Sequence, residues 1–225
     1  MVRRAGVLHG SLFRAFVTHF DCSPTVNVLS RFLGSQGDDR TFTVHEPRTD
    51  SNMSMSPLAL RPHDVCVLLQ LALTPGITFR ELADRAGQSV GEAHNATKRL
   101  EVARLCSPGG RAVNRSAMLD FLIMGVPYTF PGELGAETRG VPTAHSGPAM
   151  RDEFDSPHVV VWPSVDGETR GLSLAPLCSA APKLPGSNPD LYRLLSVVDA
   201  LRVGRARERR VASDILKREF SGAGE

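Results

Sequence analysis

The chain has 225 residues, of which 41% are apolar and 22% charged, the composition of an ordinary globular protein with room for one domain or two small ones. Its formal net charge of +2 is too small to argue for a nucleic-acid or membrane partner, so any basic function must come from local patterning. The longest apolar runs are a handful of residues, against the roughly 20 that a membrane-spanning helix needs, which excludes a spanning helix. Cys22, Cys66, Cys106 and Cys178 form no CxxC pair, which argues against a zinc site and a disulfide framework and for a reducing cytoplasm.

Residues 1–52 show no sustained helical or strand period, and turn formers such as Ser23, Pro24, Gly34, Gly37 and Pro47 break their apolar stretches. Arg3, Arg4 and Arg14 precede any acid, yet serine is sparse and no amphipathic stripe forms, so a transit peptide is not favoured. Organisation begins at Leu58. Residues 1–57 are therefore read as a disordered extension, with Met53 or Met55 as the biological start.

Pro62 suits a first helical turn, and Val65, Leu68, Leu69, Ala72 and Leu73 follow at helical spacing up to Pro75-Gly76. Thr78 and Glu81 have capping-box spacing, with Phe79, Leu82, Ala83 and Ala86 as the apolar stripe of a short second helix that Gly87 closes. Ser89 and Glu92 then form a second capping box that opens a third helix. Two capped helices across a glycine turn make a helix-turn-helix. The span 77–105 (ITFRELADRAGQSVGEAHNATKRLEVARL) resembles the winged helix-turn-helix regulators of bacteria, especially the MarR-like group. That resemblance implies a DNA-binding transcriptional regulator, a β-hairpin wing and a homodimer.

On the third helix, Val90, Ala93, Ala96, Thr97, Leu100 and Ala103 share the face that must pack inward. The outer face carries Gly91, Asn95, Lys98 and Val102, with His94 and Arg99 on its flanks and Ser89 at its start. Asparagine can bond adenine through two atoms, lysine or arginine can reach guanine or phosphate, and Gly91 lets the helix approach closely. Asn95 and Lys98 are the leading candidates. The wing must fit between Cys106 and Asn114, with Pro108-Gly109-Gly110 as its turn, and is a stub whose neighbours Arg104, Arg111 and Arg115 suit phosphate contacts. Pro62 to Asp120 holds seven Lys or Arg against six Asp or Glu, so binding is expected to need a dimer.

Asn114 caps a linker helix with Ala117, Met118, Phe121, Leu122 and Met124, which Gly125 is expected to end. From Ser107 to Asp190 the chain holds eleven of its sixteen prolines and ten of its twenty glycines, with Tyr128, Phe130, Val141 and 159–162 as apolar anchors. Residues 158–162 and 169–174, joined through Asp166-Gly167, predict a two-stranded hairpin. His145 and Ser146 are too close in sequence to act as base and nucleophile, and 140–148 is read as a hydrogen-bonded loop packed on the helix-turn-helix. The seven histidines lack metal-ligand spacing. Neither an enzyme nor a metal or other cofactor is expected.

Asn188-Pro189 caps a helix with Leu191, Leu194, Leu195, Val198 and Leu201, and Gly204 separates it from a last helix carrying Val211, Ile215, Leu216 and Phe220. Asp199 to Arg218 holds seven basic residues against three acidic ones, which makes Arg202, Arg205, Arg207, Arg209 and Arg210 candidate contacts for phosphate or an acidic partner. The blocks GVPYTFPGELG, TRGVPTAHS, VWP, RGLSLAPL and VDALRVGRARER resemble the C-terminal half of an uncharacterised bacterial helix-turn-helix family.

The expectation is a mainly α chain with a small β component: a (winged) helix-turn-helix over 58–113 and a Pro/Gly-rich α+β region over 114–225. The expected function is sequence-specific binding of double-stranded DNA as a cytoplasmic homodimer, with helix 89–105 in the major groove. The alternative is a protein-interaction module, antitoxin-like or adaptor, that uses the same fold and the Arg-rich segment to bind a partner protein.

Overall fold

The computed structural model describes residues 59–110, 112–154 and 156–221. The expectations for the front extension and for Arg111 lie outside them. Among the described residues, no helix is long and apolar enough to cross a membrane.

The first helix, α1 (Asp64–Leu73), is buried along nearly its whole length, Asp64 and Gln70 included. It is apolar around its full circumference, so it needs cover on more than one side. Helix α2 (Phe79–Ala86) begins with the expected capping box: Glu81 N–H donates to Thr78 Oγ1, and Thr78 N–H donates to the Glu81 carboxylate. Hydrogen bonds from the Thr78 hydroxyl, at 2.8 Å, and from the Thr78 N–H hold the Glu81 carboxyl below the usual carboxylate range. Gly87 closes α2 at φ +64°, where a Cβ is strained, and its Cα also lies against Ala180 of the C-terminal half.

Helix α3 (Val90–Val102) starts at Ser89, whose hydroxyl accepts from Glu92 N–H. Only half of the expected box forms, because the Glu92 carboxylate turns to Arg99 and His63. Ala93, Ala96, Thr97 and Leu100 face inward as expected, but Val90 and Ala103 are exposed, because they sit at the helix ends, beyond the reach of the neighbours. After α3 the stub is a single antiparallel bridge between Cys106 and Val113.

The linker helix does not stop at Gly125. Helix α4 (Arg115–Asp120), capped by Asn114, runs through a π-turn (Phe121–Gly125) into α5 (Val126–Thr129). Pro127 cannot donate to the carbonyl four residues back and its ring crowds that carbonyl; widening the turn relieves the conflict. Gly125 serves here by closeness, since the Phe121 ring occupies the place a Cβ would take. Met124 and Tyr128, read as apolar stripe and anchor, are exposed; Tyr128 is 76% accessible.

The expected hairpin is replaced by a three-stranded sheet. Strand β1 (Leu134–Pro142), absent from the sequence reading, pairs antiparallel with both β2 (Val160–Pro163) and β3 (Thr169–Leu174). Strands β2 and β3 run parallel, Val160 opposite Leu172. The turn between them forms, with Gly167 N–H donating to the Ser164 carbonyl, but Gly167 lies directly against Gly140 of β1. The chain therefore crosses over β1 and returns beside β2 in the parallel sense, not the antiparallel sense of a hairpin. The loop after β1 is hydrogen-bonded as expected, but it packs on α7 (Pro189–Val203) and β2, not on α1 to α3.

A tight turn (Ala181–Lys183) and a one-turn helix, α6 (Leu184–Ser187), lead into α7, whose cap is Asn188 and whose interior is buried from Leu194 to Arg202. Helix α8 (Ala206–Ser221) follows and packs on α7 through Ala212, Ile215, Leu216 and Phe220. One hydrophobic cluster runs from α1 to α8, with α7 against α1 at its centre. The fold is mainly helical with a small sheet.

Gly87→Ala is expected to lower stability by about 1–2 kcal/mol from the left-handed backbone, and by more from the contact with Ala180. Gly186→Ala, where a Cβ meets nothing within 4 Å, is expected to leave the melting midpoint unchanged or raise it. Thermal denaturation of the two variants checks the pair.

Candidate nucleic-acid interface

Helix α3 packs on α1 and α2 and leaves one side to solvent. Gly91, His94, Asn95 and Lys98 are exposed on it, together with Ser89 at the cap and Arg104 beyond the end. Space around Gly91 is open to at least 4 Å. His94 is edge-on to Phe79 of α2, ring centroids 5.1 Å apart, which holds the imidazole at the boundary of the two helices. Arg104 adopts φ +60° as the chain leaves the helix, so its direction is set by a turn and not by the helical repeat.

Arg99 is not on this surface. It is 3% exposed and points into α1, where Nε and Nη2 donate to the two oxygens of Asp64 at 2.8 and 2.7 Å. Nη2 also donates to Glu92 at 2.6 Å. The physical reason is Asp64, a carboxylate only 1% exposed, which would be prohibitively desolvated without a bidentate cation. His63 Nε2 lies 2.7 Å from Glu92 Oε1, and Arg61 reaches the same oxygen at 3.8 Å. Arg99 therefore joins α3 to the start of α1 and is withdrawn from the solvent side of α3.

His63, Asp64 and Glu92 offer ligand atoms within 4.8 Å of one another. The Arg99 guanidinium already bonds both carboxylates, so a cation would have to displace it. The set fits an ion pair better than a metal.

Arg115 is half-buried, and its Nη1 donates to the Phe220 carbonyl at 3.4 Å, which ties α4 to the end of α8. Beside the stub, an open groove of about 620 Å³ runs between Val102, Arg104 and Pro108. Burial pushes the Cys106 thiol on its wall up to about 11, which leaves it an unreactive thiol at neutral pH.

Among the Arg-rich residues, Arg202 is also withdrawn. Its Nη1 donates to Asp199 at 2.6 Å and to the Ala175 carbonyl, and its Nε donates to the Phe130 carbonyl. A buried carboxylate one helical turn away decides its direction. Arg205, Arg207, Arg209 and Arg210 are exposed, and the Arg207 guanidinium lies 5.2 Å from the Phe154 ring centre.

His145 and Ser146 are engaged apart from each other. His145 Nε2 donates to the His158 carbonyl at 2.9 Å, and Ser146 Oγ accepts from Val160 N–H at 3.1 Å. They border a groove of about 360 Å³ with Phe154 and Tyr192, in which the Tyr192 hydroxyl donates to the Pro142 carbonyl.

No family model, curated protein or solved structure matches this chain.

Arg99→Met is expected to destabilise the fold by about 3–5 kcal/mol, because it leaves Asp64 buried and unpaired. Hydrogen bonds from Arg99 hold the Glu92 carboxyl below its ordinary 4.5. A carboxyl whose pKa falls on folding contributes fully above its unfolded value, and that contribution is lost as pH drops through the lower folded value. The melting midpoint of the wild type should therefore fall on acidification below about pH 4.5, and Glu92→Gln should remove part of that dependence. Thermal melts from pH 7 to pH 3 measure both.

Proposed function

We propose that this chain is a sequence-specific DNA-binding transcriptional regulator, acting as a homodimer with α3 in the major groove. The observation that carries the reading is the solvent side of α3. Gly91, Asn95 and Lys98 stand exposed along one strip, while the opposite strip is anchored to α1 and α2. The glycine allows close approach, the amide offers a donor and an acceptor to adenine, and the ammonium can reach guanine or phosphate. Arg104 sits at the helix exit, where it suits a phosphate contact that sets the register of docking. The antiparallel bridge between Cys106 and Val113 supports the reading, because it follows α3 at the place where such regulators carry a wing.

One observation favours the alternative, a module that binds a partner protein. Val102 is 57% exposed on the outer side of α3 and Val90 is 51% exposed at the start of the helix, and Arg99 adds no charge there. Apolar side chains at the centre of a contact are the mark of a protein interface.

Binding of the full chain to duplex DNA from upstream of its own gene, over a salt series and against a scrambled duplex, tests the proposal. Asn95→Ala is expected to cost about 1–3 kcal/mol on the upstream duplex and little on the scrambled one. Lys98→Ala should also reduce the salt slope by about one if the ammonium meets phosphate. Equal affinity of the folded protein for both duplexes would sink the proposal. If Val90→Glu and Val102→Glu abolish capture of a defined partner while DNA is ignored, the alternative stands.

A further inference from the structure

Helix α8 carries a cationic face that the fold engages through a side-chain contact at Arg207, which lies over the Phe154 ring. With Arg205 just before it, it presents Arg207, Arg209, Arg210, Lys217 and Arg218 to solvent. At about 100° per residue Arg210 and Lys217 lie only about 20° apart at the centre of this face, and the other arginines flank them. The row from Arg207 to Arg218 extends roughly 16 Å along the axis.

Three acids belong to the same helix, and two are committed inside the molecule. Glu208 accepts from Arg205 N–H at 2.6 Å and faces His145 Nδ1 at 3.6 Å. Glu219 pairs with Arg193 of α7 at 2.8 Å. Asp214 alone is left among the cations, and Arg218 Nε bonds its backbone carbonyl, not its carboxylate. The positive field of this face is thus greater than the composition of the segment suggests.

The chemistry of the face selects among anionic partners. Large apolar side chains stand exposed at Val90, Val102, Met124, Tyr128, Leu134 and Val165, and none of them is on α8. A protein interface needs an apolar or aromatic centre, whereas a phosphate backbone needs charge and forked donors in a row. Four of the five basic residues within the helix are arginines. Arg115 bonds the Phe220 carbonyl, so the Lys217 and Arg218 end of the row is fastened to the residue that opens α4, just after the stub.

From these placements we infer that the outer face of α8 is a sequence-independent phosphate-binding surface for duplex DNA, separate from α3. It does not require α3 to read bases, and its failure is distinguishable from failure of the regulator reading, because the test uses a duplex of arbitrary sequence.

The full chain is titrated with a 30-base-pair duplex of arbitrary sequence between roughly 50 and 200 mM salt, the range over which such contacts are read. Arg209→Gln, Arg210→Gln and Lys217→Gln are combined in one variant. Each lost phosphate contact reduces the slope of log K against log salt by about 0.9, so the slope should fall by about 2–3, with the larger loss of affinity at low salt. A second variant, Arg139→Gln, Arg151→Gln and Arg170→Gln, removes the same charge from exposed positions on and near the sheet and should keep the wild-type slope. All substituted side chains are exposed, so unchanged circular dichroism and melting of both variants are expected. An unchanged slope in the first variant, an equal fall in both, or no binding of duplex by the wild type at the lowest salt would each overturn the assignment. So would tighter binding of a poly-glutamate peptide than of DNA.

Discussion

The C-terminal half is organised around one carboxylate. Asp199 is fully buried on α7, and it accepts from the Thr143 hydroxyl at 2.8 Å, the Trp162 indole at 2.6 Å and Arg202 at 2.6 Å. Burial pushes its carboxyl up, and the three donors oppose that shift by favouring the charged form. Thr143 brings the end of β1, Trp162 brings β2, and Arg202 brings the carbonyls of Phe130 and Ala175. A segment rich in proline and glycine has few ladder bonds with which to hold its shape. Directional bonds to a single buried charge replace them, and each is stronger in a dry interior than at the surface.

A second buried charge plays the matching part at the other end. Asp64, at the first turn of α1, fixes α3 through Arg99, with Glu92 and His63 completing the set. This pairing sets the rotation of α3 about its axis and hence which residues face solvent. Asn95 and Lys98 point outward because Arg99 cannot. The polar candidates of the proposed interface and the ion pair beneath them are thus two sides of one constraint.

Local signals in the sequence were legible and distant ones were not. The caps at Thr78, Ser89, Asn114 and Asn188 and the turn at Gly87 all involve residues within a few positions of one another, and the structure has each. Arg99 read as a flank of the outer face because helical periodicity places it there, and its partner lies 35 residues away. The available signal was Asp64 itself, a carboxylate at the head of an apolar run, just as Asp199 interrupts the stripe of α7 with Arg202 one turn on. Strand β1 escaped because Gly135, Gly140 and Pro142 blur its alternation and much of it faces solvent on both sides. The Asp166-Gly167 turn forms, but a local turn does not determine that β2 and β3 run parallel to each other and that both pair with β1.

The burial of α1 on every side means that the two halves of the described chain share one interior. Its inner surfaces are shared between α2 and α3 on one hand and α7 on the other, so neither half has a complete interior without it. A fragment of α1 to α3 cut out at the stub would carry an uncovered apolar helix, and the remainder would lose the floor on which α7 rests. Replacing either half by an unrelated segment would leave α1 without matched cover on that side.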